Sequence, residues 1–242
     1  MFNQVRMNQN SLRPHQSAFV VACIVSVALW FLPFVRWLTV PLQYLNTLIH
    51  EAWHALMAMG TGGLVSHIEV HANGNGETYT AGGNNLLISS MGYIGAALVG
   101  AAMIAFAHTP KAARSAMIGL SAVLAIVVVL WVRRDPFGIV SGIAWVVALW
   151  MMARFLDEDK QLFAAQFIGI QQCLNSVQSL FFLVQISGFG VSQSDAGNMQ
   201  QLTGIPAIAW AVLWCGVSFV AMFYAFKFSW RTAELREPES AL

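Results

Sequence analysis

Two histidines and a glutamate interrupt an almost unbroken apolar stretch of this chain, in the run His50-Glu51-Ala52-Trp53-His54. On a helix, residues four positions apart share a face, so His50 and His54 can turn their ring nitrogens toward one metal ion. Glu51 lies about 100° further round the helix, where its carboxylate can reach a water molecule without occupying the metal. A charge at the centre of a bilayer costs roughly 2.5–3.5 kcal/mol on insertion scales, and a metal in a polar cavity would offset that cost. The motif predicts a zinc site inside an apolar helix, with a pair of core histidines as the alternative.

The composition places this helix in a membrane protein. Hydrophobic residues make up 57% of the 242 residues and charged residues only 10%, against about 25% charged residues in soluble domains. A net charge of +1 offers no basic patch for nucleic acid. The three cysteines, Cys23, Cys173 and Cys215, lie far apart, which argues against both a disulfide framework and a thiolate metal site. We therefore expect a multi-pass integral membrane protein in contact with lipid and not with nucleic acid.

The apolar stretches predict the architecture, because about 20 residues are needed to span a bilayer. We predict an all-α polytopic membrane protein with about six to seven transmembrane helices and one small β-hairpin, forming a single domain over residues 1–242. A polar N-terminal arm is expected over 1–16 and a polar tail over 231–242. The apolar stretches are 17–35, 38–59, 85–107, 112–132, 137–156, 161–187 and 205–228.

Residues 64–83 differ from the apolar stretches around them and predict the β-hairpin. Polar and apolar residues alternate before the strong turn signal Asn-Gly-Asn-Gly at 73–76. His67, Glu69 and His71 share one face of the first strand. A second metal site is one interpretation of that face, and a solvated strand face is the plainer one.

Two of the predicted helices carry features that indicate interior packing. Gly92, Ala96 and Gly100 follow one another at intervals of four, and such a stripe of small residues lets another helix backbone approach closely. The sixth apolar stretch is less apolar than the others because it carries several glutamines, among them Gln166 and Gln172. We expect that helix to face the protein interior or a wet cavity.

The two histidines leave a third metal ligand to be found, because a catalytic zinc usually takes three protein ligands. The motif helix offers none, and the predicted helix 85–107 contains no acidic residue. Asp157 and Asp159 lie in a charged turn, while Asp135 follows two arginines that we expect to pair with it. Asp195 lies in a break between two apolar helices, where irregular backbone faces water or lines a cavity. From the residues alone, Asp195 is either the third ligand or a helix N-cap.

Further short motifs extend the pattern around the two histidines. They are Thr61-Gly62-Gly63, the hairpin residues Gly76 and Thr78, Gly82-Gly83, Met91-Gly92-Tyr93-Ile94-Gly95, Ser194-Asp195-Ala196, Thr203-Gly204-Ile205-Pro206 and Trp210. Over roughly residues 40–230, the chain resembles the site-2 protease family of intramembrane zinc metalloproteases, in its compact bacterial branch without a PDZ domain. It lacks the proline-rich NxxPxPPLDG motif of the better-known members, so Asp195 is matched through the shorter Ser-Asp-Ala segment. Trp53 stands where the family commonly has glycine.

The resemblance implies a site in which His50, His54 and Asp195 hold zinc while Glu51 activates the water. It also implies a β-hairpin beside the site that can pair with an unwound substrate segment. The expected activity is that of an intramembrane zinc endopeptidase of the bacterial cell membrane, which cleaves transmembrane segments of other membrane proteins. The alternatives are a membrane metal-binding or transport protein, in which the hairpin histidines extend the site, and a catalytically silent scaffold of the same fold.

Overall fold

The computed structural model describes residues 12–31, 36–186 and 194–234. Within these ranges the chain is mostly helical and has one antiparallel pair of strands. The elements in chain order are α1 (Pro14–Phe31), α2 (Arg36–Gly60), β1 (Leu64–Val70), β2 (Gly76–Ala81), α3 (Asn85–Phe106), α4 (Pro110–Trp131), α5 (Pro136–Phe155), α6 (Glu158–Ile186), α7 (Asp195–Thr203) and α8 (Ala207–Glu234). The predicted helical architecture with one small β-hairpin is confirmed.

Four helices in the described part of the chain are long and apolar enough to cross a membrane. They are Asn85–Phe106, Pro110–Trp131, Pro136–Phe155 and Ala207–Trp230. In α1 the apolar portion Pro14–Leu29 is shorter, and the helices α2 and α6 carry more polar residues. The chain is thus an integral membrane protein, and the count of six to seven transmembrane helices stays a prediction.

The ends of the chain differ in detail from the predicted polar arm and tail. Helix α1 already begins at Pro14, inside the predicted arm, and residues 1–11 lie outside the described residues. Helix α8 continues to Glu234, so its last turn occupies the start of the predicted tail, and 235–242 lie outside the described residues. The single-domain division stays a prediction.

Helix boundaries follow local capping chemistry. The side chains of Asn84, Thr109 and Asp135 accept hydrogen bonds from backbone N–H groups in the first turns of α3, α4 and α5. Proline follows the cap in α4 and α5, where its missing N–H costs nothing because the first amides of a helix have no partner within it. These caps set the ends of three candidate membrane helices.

Helix α3 packs against α2, α6 and α8, and its small residues allow the close approach. A Cβ added at Gly100 would lie 2.4 Å from the backbone oxygen of Gly169 in α6. A Cβ added at Gly92 would overlap side chains of α2. The prediction that this stripe serves helix packing is confirmed. Helix α6 is likewise interior, since Gln166 is buried and donates to the carbonyl of Ala107 at 2.9 Å.

The hairpin lies with one face against α2. Ile68 pairs with Thr78 and Val70 with Gly76, so these four residues share a face of the sheet. Ile68 and Val70 are fully buried in the same apolar cluster as residues of α2. The hairpin therefore covers the side of α2 that carries the motif glutamate.

The outer edge of β1 is already occupied. Ile68 forms a parallel bridge with Val132, and the N–H of Val70 donates to the Asp135 carboxylate at 3.2 Å. Asp135, which we expected to pair with the two arginines before it, instead caps α5 and fastens the hairpin to the α4–α5 connection. Since the sheet has two strands, β2 is its edge strand.

Candidate metal site

The predicted ligands from α2 converge on the predicted ligand from α7. His50 and His54 are 8% and 6% exposed, and their Nε2 atoms lie 2.8 Å and 3.3 Å from Oδ2 of Asp195. Three donors of a tetrahedral zinc ion would be about 3.4 Å apart, given metal–ligand distances near 2.1 Å. The donor atoms of His50, Glu51 and His54 also lie within 4.8 Å of one another. The spacing of these atoms is thus compatible with one metal ion.

His54 is oriented by the backbone of α3. Its Nδ1 lies 2.6 Å from the carbonyl oxygen of Ile88. A carbonyl only accepts hydrogen bonds, so Nδ1 must carry the hydrogen, and Nε2 is the atom that faces Asp195. Metal-binding histidines are commonly held by such a bond from the second ring nitrogen. Side-chain patterns in the sequence gave no sign of Ile88, because its contribution is a main-chain atom.

His50 lies between α3 and α8. Its ring meets that of Tyr93 edge to face at 4.5 Å between centroids, and Tyr93 stacks on Trp214 at 4.9 Å. A Cβ added at Gly92 would lie 2.4 Å from Nε2 of His50 and 2.7 Å from Cε1 of His54. The absence of a side chain at position 92 therefore provides the room that both imidazoles occupy.

We expect Gly92→Ala to weaken zinc binding by about 10-fold or more, in the range seen when groups that orient metal ligands are removed. The added methyl group meets the movable ends of two side chains, so the rings turn aside while the helix packing is kept. Chelator competition on purified protein measures the affinity. The control is Gly119→Ala, where a Cβ meets nothing within 4 Å. Equal zinc affinity in both variants would contradict this role for Gly92.

Glu51 is held by the hairpin. Its side chain is buried, and the hydroxyl of Thr78 on β2 lies 2.7 Å from Oε2 and 3.0 Å from the Glu51 carbonyl oxygen, both of them acceptors. A Cβ added at Gly76 would lie 2.9 Å from Oε1. Thr78 thus orients the carboxylate, and Gly76 leaves space for it. The sequence marked these two positions only through the family resemblance, without a role.

Trp53 turns toward α3. A Cβ added at Gly95 would overlap the indole, with Cγ only 2.1 Å away. The bulk of Trp53 at a position where the family commonly has glycine is therefore matched by a glycine on the facing helix.

Asp195 is the first residue of a short helix and not its cap. Ser194 is the N-cap of α7, accepting from the N–H of Gly197 at 3.1 Å, so the N-cap interpretation of Asp195 is wrong. Met199 packs with Trp214 of α8 in a small apolar cluster that holds α7 in place. The left-handed Gly204, with φ of 75°, ends the helix before α8 begins.

The hairpin histidines form a separate cluster. His67 Nε2 lies 3.1 Å from Glu69 Oε1, and the His67 ring stacks on Tyr79 at 4.3 Å. His71 Nε2 is 3.9 Å from the other Glu69 oxygen. Among the described residues, the group whose donor atoms all lie within 4.8 Å of one another comprises His50, Glu51 and His54, and neither these hairpin side chains nor Asp195 belongs to it.

The strand face that carries His67, Glu69 and His71 is solvated only in part, because His67 is 5% exposed whereas the side chain of His71 is 39% exposed. A hydrogen bond to Glu77 raises the pKa of Tyr79 to about 12, so the phenol that covers His67 stays neutral at physiological pH.

Comparison with known proteins gives one match. The family model described as Peptidase M50B-like matches residues 19–225. That range contains the motif helix, the hairpin and α7. No curated protein and no solved structure matches the chain.

Proposed function

We propose, from the premise that this chain belongs to the Peptidase M50B-like family of site-2 proteases, that it is an intramembrane zinc endopeptidase. The observation that carries the proposal is the approach of Asp195 to both motif histidines beside a buried glutamate. Peptidase-family membership and the metal-capable group support a metalloprotease. Zinc as the metal, the residue roles, the membrane-embedded substrate and the bacterial cell membrane as location are parts of the proposal.

The donor set fits zinc. Two imidazoles and one carboxylate are the ligand type of catalytic zinc sites that keep a fourth position open. Gly92 leaves room for the imidazoles, and the Ile88 carbonyl selects the Nε2 atom of His54 as the metal-facing one. Zinc held by His50, His54 and Asp195 would supply Lewis-acid activation of a water molecule and of the peptide carbonyl.

Glu51 is the proposed general base. Its carboxylate accepts a proton from the attacking water and passes it to the nitrogen of the leaving amine. The hydroxyl of Thr78 donates to Oε2 and keeps the carboxylate in one orientation, so that Oε1 remains for the proton. Burial of Glu51 between α2 and the hairpin keeps bulk water away from this transfer.

The edge strand β2 is the proposed docking site for substrate. The backbone N–H of Val70 points away from β2, toward Asp135. The backbone N–H and C=O of the neighbouring Glu69 therefore point toward β2, where Glu69 pairs with Glu77. Because backbone groups alternate sides along a strand, every second residue of β2 directs its N–H and C=O outward. These residues are Gly76, Thr78 and Thr80. An unwound transmembrane segment adds to this edge by main-chain hydrogen bonds, which brings its peptide bonds next to Glu51.

We expect Thr80→Pro to reduce cleavage by about 5- to 30-fold, the effect of losing one or two kcal/mol of hydrogen bonding to bound substrate. Proline removes an outward donor of β2 and leaves the ladder with β1 intact. The control Thr80→Ala keeps the N–H and should cleave at nearly the wild-type rate. Proline at Val70 would be uninformative, because that N–H already fastens the hairpin to Asp135. Unchanged turnover and zinc content in Thr80→Pro would remove the support for strand addition at β2.

The function is tested by comparing the membrane proteomes of cells that carry the wild-type protein and cells that carry Glu51→Gln. We expect fragments of at least one membrane protein, cut within a transmembrane segment, in the wild-type cells only. The intact form should accumulate in the variant cells. Identical proteomes under conditions in which both proteins are made would count against the protease. The metal-transport alternative is not favoured, since it required the hairpin histidines to extend the site.

A further inference from the structure

A buried amide lies one helical turn before the first motif histidine. Asn46 in α2 is 3% exposed, and its Oδ1 is buried without a hydrogen-bond partner. Buried polar side chains nearly always have a partner, because an unpaired acceptor loses its hydration and gains nothing in return. The buried acceptor of Asn46 is therefore available to a donor on the same face of α2, close to the proposed metal site.

The second ring nitrogen of His50, Nδ1, has no acceptor among the described residues. Its Nε2 faces Asp195, as the Nε2 of His54 does. The Nδ1 of His54 is bonded to the Ile88 carbonyl, whereas no residue in the described ranges accepts a hydrogen bond from Nδ1 of His50. A hydrogen bond at Nδ1 therefore orients the His54 ring, and no such bond orients the His50 ring.

The helix brings the two unpaired groups together. Asn46 and His50 are four residues apart and share a face of α2, where side chains at this spacing form hydrogen bonds. Side chains on a helix also lean toward its N-terminus, so the His50 ring leans over the turn that carries Asn46. A hydrogen bond from the ring to Oδ1 would give both groups a partner without involving another element.

We propose that Asn46 is a positioning residue for His50, whose Nδ1–H it accepts at Oδ1 when zinc is bound. This inference rests on the proposed zinc site. The bond places the hydrogen on Nδ1 and the lone pair on Nε2, which is the tautomer that a metal requires. Asn46 thereby does for His50 what the Ile88 carbonyl does for His54.

Zinc affinity of the full-length protein in detergent micelles tests the role, measured by competition with a chelator. Asn46→Leu, which keeps the size and removes the acceptor, should weaken zinc binding about 10- to 100-fold, as loss of other groups that orient metal ligands does. Asn46→Asp keeps an acceptor at the same distance from the backbone and should restore affinity to within a few-fold of wild type. Gln172→Leu is the matched control, since Gln172 on α6 is equally buried and its side-chain atoms are also unpartnered.

Nitrogen NMR of the histidines gives a readout that a packing role would not change. In the zinc-loaded wild type and in Asn46→Asp, we expect the His50 Nδ1–H to exchange slowly with water. In Asn46→Leu, or in Asn46→Ala should the leucine variant not fold, exchange should become fast. Assignment of the signal uses His50→Ala.

The outcomes separate the two proposals. If His50→Ala removes zinc while Asn46→Leu retains wild-type affinity and slow exchange, the role of Asn46 is overturned and the zinc site stands. If Gln172→Leu weakens zinc as much as Asn46→Leu, the effect is one of general packing and the inference is again overturned. A wild-type protein that binds no zinc would overturn the zinc site and, with it, the inference.

Discussion

Glu51→Gln is expected to keep its zinc and to cleave at least about 100-fold more slowly than the wild type, because a positioned general base contributes about 10²–10⁴-fold. The glutamine amide has the size of the carboxylate and can still accept from the Thr78 hydroxyl, so the site keeps its shape. It has no basic oxygen for the proton of the attacking water. Cleavage of a substrate identified by the proteome comparison and zinc content by elemental analysis are the two measurements.

The matched control for this variant is Glu77→Gln. Glu77 lies in the same hairpin region on the face away from α2, where its carboxylate accepts from the Tyr79 hydroxyl. The same charge is removed there without touching the proposed base, so cleavage should stay close to the wild-type rate. A Glu51→Gln protein that cuts at the wild-type rate would show the proposed mechanism to be wrong.

The purified wild-type protein is expected to carry about one zinc ion per chain, and the double variant His50→Ala/His54→Ala to carry none. Removing both imidazoles leaves Asp195 as the single proposed ligand, which is too few for a zinc site. The control is His67→Ala/His71→Ala, which removes the same number of imidazoles from the hairpin and should leave the zinc content unchanged. Full zinc in the first double variant, or loss of zinc in the second, would exclude the assignment.

Asp195→Asn extends this prediction to the third proposed ligand. Asparagine keeps the size of the side chain but not its charge, so zinc affinity should fall by about 100-fold or more. Loss of a group that only orients a metal ligand lowers metal affinity by about 10- to 100-fold, and loss of a ligand should cost at least as much. The start of α7 should be unaffected, because Ser194 and not Asp195 caps that helix. Ser194→Ala is the complementary variant, with an expected loss of about 1 kcal/mol in helix stability and little change in zinc affinity. Wild-type zinc affinity in Asp195→Asn would turn the search to another ligand.

Local patterns predicted much of this protein because they depend on neighbours in the chain. The alternation in residues 64–83 predicted the hairpin, and apolar length predicted the helices that are long enough to cross a membrane. The spacing of His50 and His54 predicted a shared helix face for the same reason, since 3.6 residues per turn brings positions four apart together. Helix α7 escaped prediction because nine residues with a weak apolar pattern look like a connecting loop.

The number of transmembrane helices does not follow from apolar length alone. Helices α2 and α6 carry polar residues that a hydropathy pattern counts against membrane insertion. In the fold several of these residues are buried inside the protein, as Gln166 and His54 are, and burial of this kind removes a polar side chain from contact with lipid. Whether a polar residue opposes insertion therefore depends on what covers it, which a linear pattern does not contain.

By itself, the sequence determined a helical membrane protein with a hairpin and a candidate metal pair on one helix, because each of these follows from periodicity over a few turns. Only the tertiary structure decided that Asp195 meets His50 across 145 positions, that Thr78 meets Glu51, and that Asp135 serves the hairpin instead of its arginine neighbours. The physical reason is that these contacts join elements far apart in the chain and form only once the helices and the hairpin have packed together. At this site the missing side chain at Gly92 also leaves the space that the two imidazoles occupy. Main-chain partners such as the Ile88 carbonyl leave no trace in residue type at all, since every residue has one.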